Sequence, residues 1–463
     1  MTDLLQELRA LTSTDAVLGP AEIAGRARNY WDSSPLNALA LVRPASTEEL
    51  SRVLRHCHER SQTVVVHGGL TGVCDGDRAT PEDVIISLER MNRIEEIDAV
   101  GRTATVQAGV TLQALQTAAE AQGLLFPLDL GARGSCTIGG NVATNAGGSN
   151  VLRHGMMRAL VLGLEAVLPD GRVVSSMNRM LKNNTGYDLK QLFIGTEGTL
   201  GIVTRAVVLL KEASSSVNTV LVALDDGAKI AAFLKHMDRA LGGTLSSFEA
   251  MWGDYYRRVT EPGHHVAPMS RDHPYYVIAE AQGPQPEEDA RRFETAVELA
   301  FEAGIVVDAV LPKSGIERDR IWAIRENFEA LYEHKPLFLY DVSVPIRGMI
   351  DYVDAVRRNV EQRWPDGRFW VLGHIGDGNL HFFVTPGSHH DDPAQLHGIS
   401  DSLVYGPLTE FGGAVSAEHG TGLEKKAWLH ITRSETEIEL MRCLKRTLDP
   451  RNILNRGKVI DVA

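Results

Sequence analysis

Short runs of branched apolar residues closed by glycine-rich turns fill the chain up to about Leu210. Residues 63–66 run into His67-Gly68-Gly69, residues 84–86 into a charged loop, and residues 103–106 into Ala108-Gly109. Runs of this length, β-branched and punctuated by glycine, predict strands. Between them, residues 47–60 open on Thr47 and Glu48-Glu49, which is the chemistry of a helix N-terminus, and residues 112–122 read as a second helix. Strands and helices mixed in this way predict an α+β fold.

After Ser214-Ser215-Ser216 the pattern changes. Glycine thins out, and apolar strands at 219–223 and 275–279 alternate with charged amphipathic helices at 228–241 and 287–303, which marks a second unit. Later, residues 369–372, a turn at Gly376-Asp377-Gly378-Asn379 and residues 380–384 read as a hairpin. The last sixty residues read as helical and end in Leu448-Asp449-Pro450 and Asn452-Ile453-Leu454-Asn455. The shifts divide the chain into an N-terminal helical segment (1–36), a glycine-rich domain (37–213), an α+β domain (214–400) and a C-terminal segment (401–463).

Composition sharpens this picture in three places. With 463 residues, 43% of them hydrophobic, the chain can bury more than one core, so two domains are expected. Lys and Arg number 47 against 60 Asp and Glu, a net charge of -13, which disfavours nucleic acid as a partner. Cys57, Cys74, Cys136 and Cys443 form no CxxC pair, so free thiols are expected, with neither a disulfide framework nor a thiolate zinc site. The first twenty residues lack the pattern of a secretory signal, and no apolar run approaches the roughly 20 residues of a membrane span. A cytoplasmic protein without a transmembrane segment is the expectation.

The placement of glycine carries candidate chemistry. Gly68, Gly69 and Gly72 frame Leu70-Thr71; Gly131 precedes Gly134-Ser135; Gly139-Gly140-Asn141 leads to Asn145-Ala146-Gly147-Gly148; and Glu197-Gly198 leads to Gly201-Ile202. Glycine lets backbone N–H groups approach a ligand closely, so a loop without lysine can cradle a phosphate. Any one cluster is explained as simply by tight turns. Neither GxGxxG nor GxxxxGK[ST] occurs, so a dinucleotide would be held by other means than the Rossmann or P-loop motifs.

Three strings, 64–72, 126–148 (from Phe126-Pro127) and 184–201, resemble the FAD domain of the vanillyl-alcohol oxidase superfamily. Within it the chain is most similar, over nearly its whole length, to the D-2-hydroxyglutarate and D-lactate dehydrogenase group. The resemblance implies a two-part FAD-binding domain of the p-cresol methylhydroxylase type, an α+β substrate domain, and a C-terminal helical segment that returns to the flavin. It implies that Gly68, Gly69, Leu70, Thr71 and Gly72 wrap the pyrophosphate together with Gly139, Gly140, Asn141, Asn145, Ala146, Gly147 and Gly148. It also implies that Pro127, Gly131, Ser135, Glu197, Gly198 and Gly201, in the same matched strings, bind the cofactor, with Ile202 by the adenine. His67 and Leu70 depart from the residues usual there, Gln or Arg and Gly or Asn. Superfamily members that bind flavin covalently through this loop use a histidine, where this chain has Thr71, so the FAD is expected to be noncovalent.

His374 and His381 bracket a glycine turn between two apolar strands, and Glu418-His419 sits on another glycine-bounded turn. Two histidines and a carboxylate with open positions make a catalytic ligand set. With 16 histidines in the chain, a solvated loop residue is the plainer reading of any one taken singly. The resemblance implies that His374, His381 and Glu418 hold a divalent metal, zinc with manganese or cobalt as alternatives, and that His419 acts at the substrate hydroxyl. It implies that Arg325 binds the substrate carboxylate; taken alone, Arg325 is a helix-surface ion-pair residue.

Leu339 and Phe383 stand where the dicarboxylate enzymes of the group usually have Lys and Asn. A second carboxylate buried without those partners would cost on the order of 2 to 5 kcal/mol. The expected substrate is therefore a small D-2-hydroxy monocarboxylate with an apolar side chain, such as D-lactate or D-mandelate, with D-2-hydroxyglutarate as the alternative. Its electrons would pass to an acceptor such as an electron-transfer flavoprotein or a quinone, and a homodimer is the candidate assembly. Two rival classes stay open on the residues alone: a metal-dependent hydrolase, which leaves the glycine loops unexplained, and a noncatalytic FAD-binding subunit.

Overall fold

The valine run Val64–His67 forms a parallel pair with Val84–Ser87, which is also parallel to Ala40–Val42; Val17–Leu18 joins the outer edge antiparallel. Parallel strands are covered on both faces, which is why VIIS is apolar without alternation and wholly buried. The helix Thr47–Glu59 lies on this sheet. Ser46 caps it by accepting from the Glu49 N–H, and Leu50, Val53, Leu54 and Cys57 enter the core against Val64 and Ile86. A second sheet is antiparallel throughout, in the order Ile94–Asp98, Thr103–Gln107, Ile202–Leu209, Val161–Val167, Val173–Ser176.

The computed structural model describes residues 2–388 and 392–462. They divide into two compact units: residues 1–147, 155–213 and 418–463 in the first, and 148–154 with 214–417 in the second. Unit two is built on one seven-stranded antiparallel sheet. Its order is Asp308–Val310, Ser216–Leu224, Tyr275–Gly283, Leu245–Trp252, Arg368–His374, Asn379–Thr385, Phe338–Ser343. The helices Ala228–Leu241 and Pro286–Glu302 pack together and bury Phe233, Met237, Phe293 and Val297. The structure is thus α+β, as the pattern of the chain predicts.

The expected hairpin is present: Arg368–His374 pairs with Asn379–Thr385, and Gly378 turns the chain at φ +88°. The C-terminal stretch is less helical than its composition suggests. One long helix, Glu435–Leu448, stops because Asp449 precedes Pro450 and cannot stay in the α region. After a turn at Pro450–Arg451, Leu454 bridges Val64: Ile453 O accepts from Val64 N and Asn455 N donates to Val64 O, each at 2.8 Å. Cys57, Cys74, Cys136 and Cys443 are free thiols, the first three buried. Among the described residues no helix is long and apolar enough to cross a membrane.

Candidate active site

The glycine strings meet in unit one. A Cβ on Gly69 would lie 2.1 Å from Ser135 O, and one on Gly68 would lie 2.9 Å from Thr137 Oγ1. The first loop therefore packs backbone to backbone on the 135–140 segment, which only glycine allows. Among the described residues, none of the N–H groups of Gly68, Gly69, Leu70, Thr71 and Gly72 is donated within the chain. Leu70 is left-handed at φ +56° and Asn145 at φ +51°. A run of unspent N–H donors on a turned backbone is suited to the pyrophosphate of a dinucleotide, so these residues fit FAD. Gly131 has open space beside it, Pro127 and Ser135 flank the same turn, and Gly139 packs on Ala108.

Other residues of the matched strings act by holding the chain. Asn145 accepts from the Arg158 N–H at 2.8 Å. Asn141 and Ala146 are buried, and Gly147 and Gly148 stand where unit one gives way to the short 148–154 segment of unit two. Ile202 is fully buried in the first core. Gly198 is left-handed, and Gly201 packs on the Phe193 ring. Asn455, not expected from the sequence, accepts from Val66 N at 3.1 Å and donates to Glu197 O at 2.6 Å, bracing the entry to the first loop. His67 turns inward: its Nε2 bonds the Asp77 carbonyl at 2.8 Å, and burial lowers its pKa to about 4.

In unit two, the pairing of Phe338–Ser343 with Asn379–Thr385 sets Asp341 opposite His381 and Leu339 opposite Phe383. The His374 and His381 rings stand edge to face, 5.3 Å between centroids. His374 Nδ1 is 2.6 Å from Glu249 Oε1, and Arg325 Nε donates to Glu249 Oε2 at 3.0 Å. Arg325 Nη2 closes the triangle on His374 Nε2 at 3.3 Å. Burial alone would push the Glu249 carboxyl up, but the contacts from His374 and Arg325 hold it below its ordinary value. Nearby Asp377 is pushed up to about 6 by burial. The Arg325 guanidinium also lies over the Phe328 ring, which stacks on Phe383.

Glu249 escaped the sequence reading, although a lone acid inside the apolar strand LSSFEAMW is a signal, because a buried charge requires partners.

The segment that carries Glu418 and His419 is anchored on both sides of them. Asp341 Oδ2 accepts from Ala417 N at 3.1 Å and from Ser416 Oγ at 3.3 Å, while Asn379 Nδ2 donates to its Oδ1 at 2.6 Å. Beyond the pair, Glu197 accepts from Thr421 N at 2.7 Å and Gly422 N at 2.9 Å. Burial raises the Glu197 pKa against the pull of those two N–H groups. Asp341 and His381 are register partners on adjacent strands of unit two, and Glu418 and His419 open the last segment of unit one. Imidazole nitrogens and carboxylate oxygens are donors that fit a divalent cation. Asp341 was not in the ligand set expected from the sequence, and His374 of that set is engaged by Glu249 and Arg325.

Comparison with known proteins decides the family. Residues 38–176 match the FAD binding domain, and residues 213–459 match the C-terminal domain of FAD linked oxidases. The chain belongs to the FAD-linked oxidase family. It is 39% identical over 422 residues to the mitochondrial D-2-hydroxyglutarate dehydrogenase of Bos taurus, covering 91% of this chain and 76% of that protein. The D-2-hydroxyglutarate dehydrogenase of Xanthomonas citri is 38% identical over 100% of this chain and 98% of its own length. The D-2-hydroxyglutarate–pyruvate transhydrogenase of Saccharomyces cerevisiae is 30% identical over 98% and 94%.

In fold, p-cresol methylhydroxylase aligns with a TM-score of 0.79 at 17% identity over 100% of this chain and 97% of that one. An alkyldihydroxyacetonephosphate synthase aligns at 0.75, also at 17% identity, over 98% and 85%. These two likenesses concern fold alone. This family member is an FAD-dependent dehydrogenase acting on a CH–OH donor.

Proposed function

We propose that the enzyme oxidises a D-2-hydroxy monocarboxylate with an apolar side chain to the 2-oxo acid. The observation that carries the choice of side chain is the apolar wall beside Arg325: Phe383 lies opposite Leu339 and stacks on Phe328 at 5.6 Å. No cation or amide stands at 339 or 383 to meet a second carboxylate. The relatives' names favour a second reading, D-2-hydroxyglutarate itself.

In this reading Arg325 pairs with the substrate C1 carboxylate, a charge-assisted contact that orients C2. His374, His381 and Glu418 would hold a divalent cation, zinc by preference, which would supply a Lewis acid to lower the pKa of the C2 hydroxyl. His419 accepts the hydroxyl proton, a task suited to an imidazole that titrates near neutrality. The glycine strings would hold noncovalent FAD, which would supply the acceptor for the C2 hydride. Leu339, Phe328 and Phe383 exclude water around the side chain. A soluble cytoplasmic enzyme that passes electrons to an electron-transfer flavoprotein or a quinone fits this reading.

The test is anaerobic flavin bleaching with D- and L-lactate, D-mandelate and D-2-hydroxyglutarate, with and without chelator. D-lactate or D-mandelate should bleach fastest, and only with metal present. In L339K/F383N the preference should move toward D-2-hydroxyglutarate by 10-fold or more, since restoring partners to a buried carboxylate is worth about 2 kcal/mol or more. Faster bleaching of the unaltered enzyme by D-2-hydroxyglutarate would select the second reading, and bleaching that survives complete metal removal would eliminate the cation's role.

A further inference from the structure

Arginine has no hydrogen-bond acceptor, so the 3.3 Å contact between Arg325 Nη2 and His374 Nε2 requires that Nε2 carry a lone pair. The ring proton then sits on Nδ1 and is donated to Glu249 Oε1 at 2.6 Å. The second oxygen of the same carboxylate accepts from Arg325 Nε at 3.0 Å. Glu249 is 1% exposed, Arg325 5% and His374 8%, so water does not compete for these contacts. All three residues hang on secondary structure: Glu249 and His374 are register partners on adjacent strands, and Arg325 closes the helix Gly315–Arg325.

We propose that Glu249 is the positioning residue of this site, fixing His374 as the tautomer whose Nε2 can ligate a cation and holding the Arg325 guanidinium by its Nε for the substrate carboxylate. The role rests on the reading of His374 as ligand and Arg325 as carboxylate binder. A carboxylate behind a ligating histidine fixes ring orientation and raises its basicity. Here one carboxylate serves both the ligand and the anion binder. Because one lone pair cannot serve two partners, His374 would have to give up the Arg325 Nη2 contact to ligate a cation, while the Nε contact would keep the guanidinium in the site.

The test uses the FAD-loaded full chain. In metal-free protein with 15N-labelled histidine, His374 should show its proton on Nδ1, and E249Q should shift it toward Nε2. Zinc affinity, read by competition with a chromogenic chelator, should fall roughly 10- to 100-fold in E249Q. KM for the hydroxy acid should rise more than kcat falls, with flavin content unchanged. E249D keeps the charge but is one methylene short, so it should fall between the two, and it decides the question if E249Q does not fold. A wild-type His374 protonated on Nε2 overturns the role whatever zinc does, and so does a folded E249Q with wild-type tautomer and zinc affinity. If the wild-type protein takes up no zinc yet keeps the Glu249-dependent tautomer, the metal reading fails and the positioning role stands.

Discussion

At the scale of single residues, the departures from the family pattern carry the most information. His67 stands at the mouth of the first glycine loop, yet its ring points into the core and bonds the Asp77 carbonyl. Burial lowers its pKa from 6.5 to about 4. Above pH 6.5 the ring is neutral in both the folded and unfolded chain. Between pH 6.5 and 4 only the unfolded chain takes up the proton, so stability falls as the pH drops through that window. The loss is on the order of 3 kcal/mol. Melting temperatures measured from pH 7 to pH 4 should therefore decline less steeply in His67→Gln, which keeps a donor for the Asp77 carbonyl but does not titrate. Parallel curves for the two proteins would show that His67 charges without cost in the fold.

At the scale of elements, the two carboxylates on either side of Glu418-His419 do different work. Asp341 holds 416–417 to the edge of the seven-stranded sheet, and Glu197 holds 421–422 through two backbone N–H groups. Removing the Glu197 carboxylate leaves both donors without an acceptor, a cost of about 1–3 kcal/mol each, and releases one end of the loop. Glu197→Ala should lower kcat roughly 10- to 100-fold, as expected when a proton acceptor loses its placement, while the flavin content of the purified protein stays at the wild-type level. Loss of FAD with retained kcat per flavin would instead mark Glu197 as a cofactor contact.

This division of labour also shows what the sequence could convey. The strands, the helix Thr47–Glu59 and the 374–381 hairpin were legible because hydrophobic period and turn residues are local signals. His381 and Glu418 stand in short motifs that a local pattern can single out. Glu249, Asn455 and the anchoring role of Glu197 were not, because their partners lie 76 and 125, 389, and 224 and 225 residues away along the chain. The C-terminal helix was overextended in the reading because the strand-like course of Ile453–Asn455 depends on Val64, a partner no local pattern reveals.

At the scale of the whole molecule, the two proposed ligands should announce themselves in different parts of the chain. A ligand that binds only the folded state stabilises it by RT ln(1 + [L]/Kd), about 2.7 kcal/mol at a hundredfold excess over Kd. For domains of this size that is a rise of roughly 5 to 10 °C in melting temperature. FAD returned to flavin-stripped protein should slow hydrogen exchange across 68–72, where the loop N–H groups are unspent. Zinc returned to chelated protein should slow it across Arg368–His374 and Asn379–Thr385, the strands bearing the two histidines. Both ligands should raise the melting temperature, but His381→Ala should abolish the zinc effect alone, since losing one ligand from a site of this kind leaves too few donors to hold the ion. If zinc protects the same strands equally well in His381→Ala, the ion binds elsewhere, and the hydroxyl-acidifying role assigned to this cluster falls with it, while flavin binding in the glycine cradle is untouched.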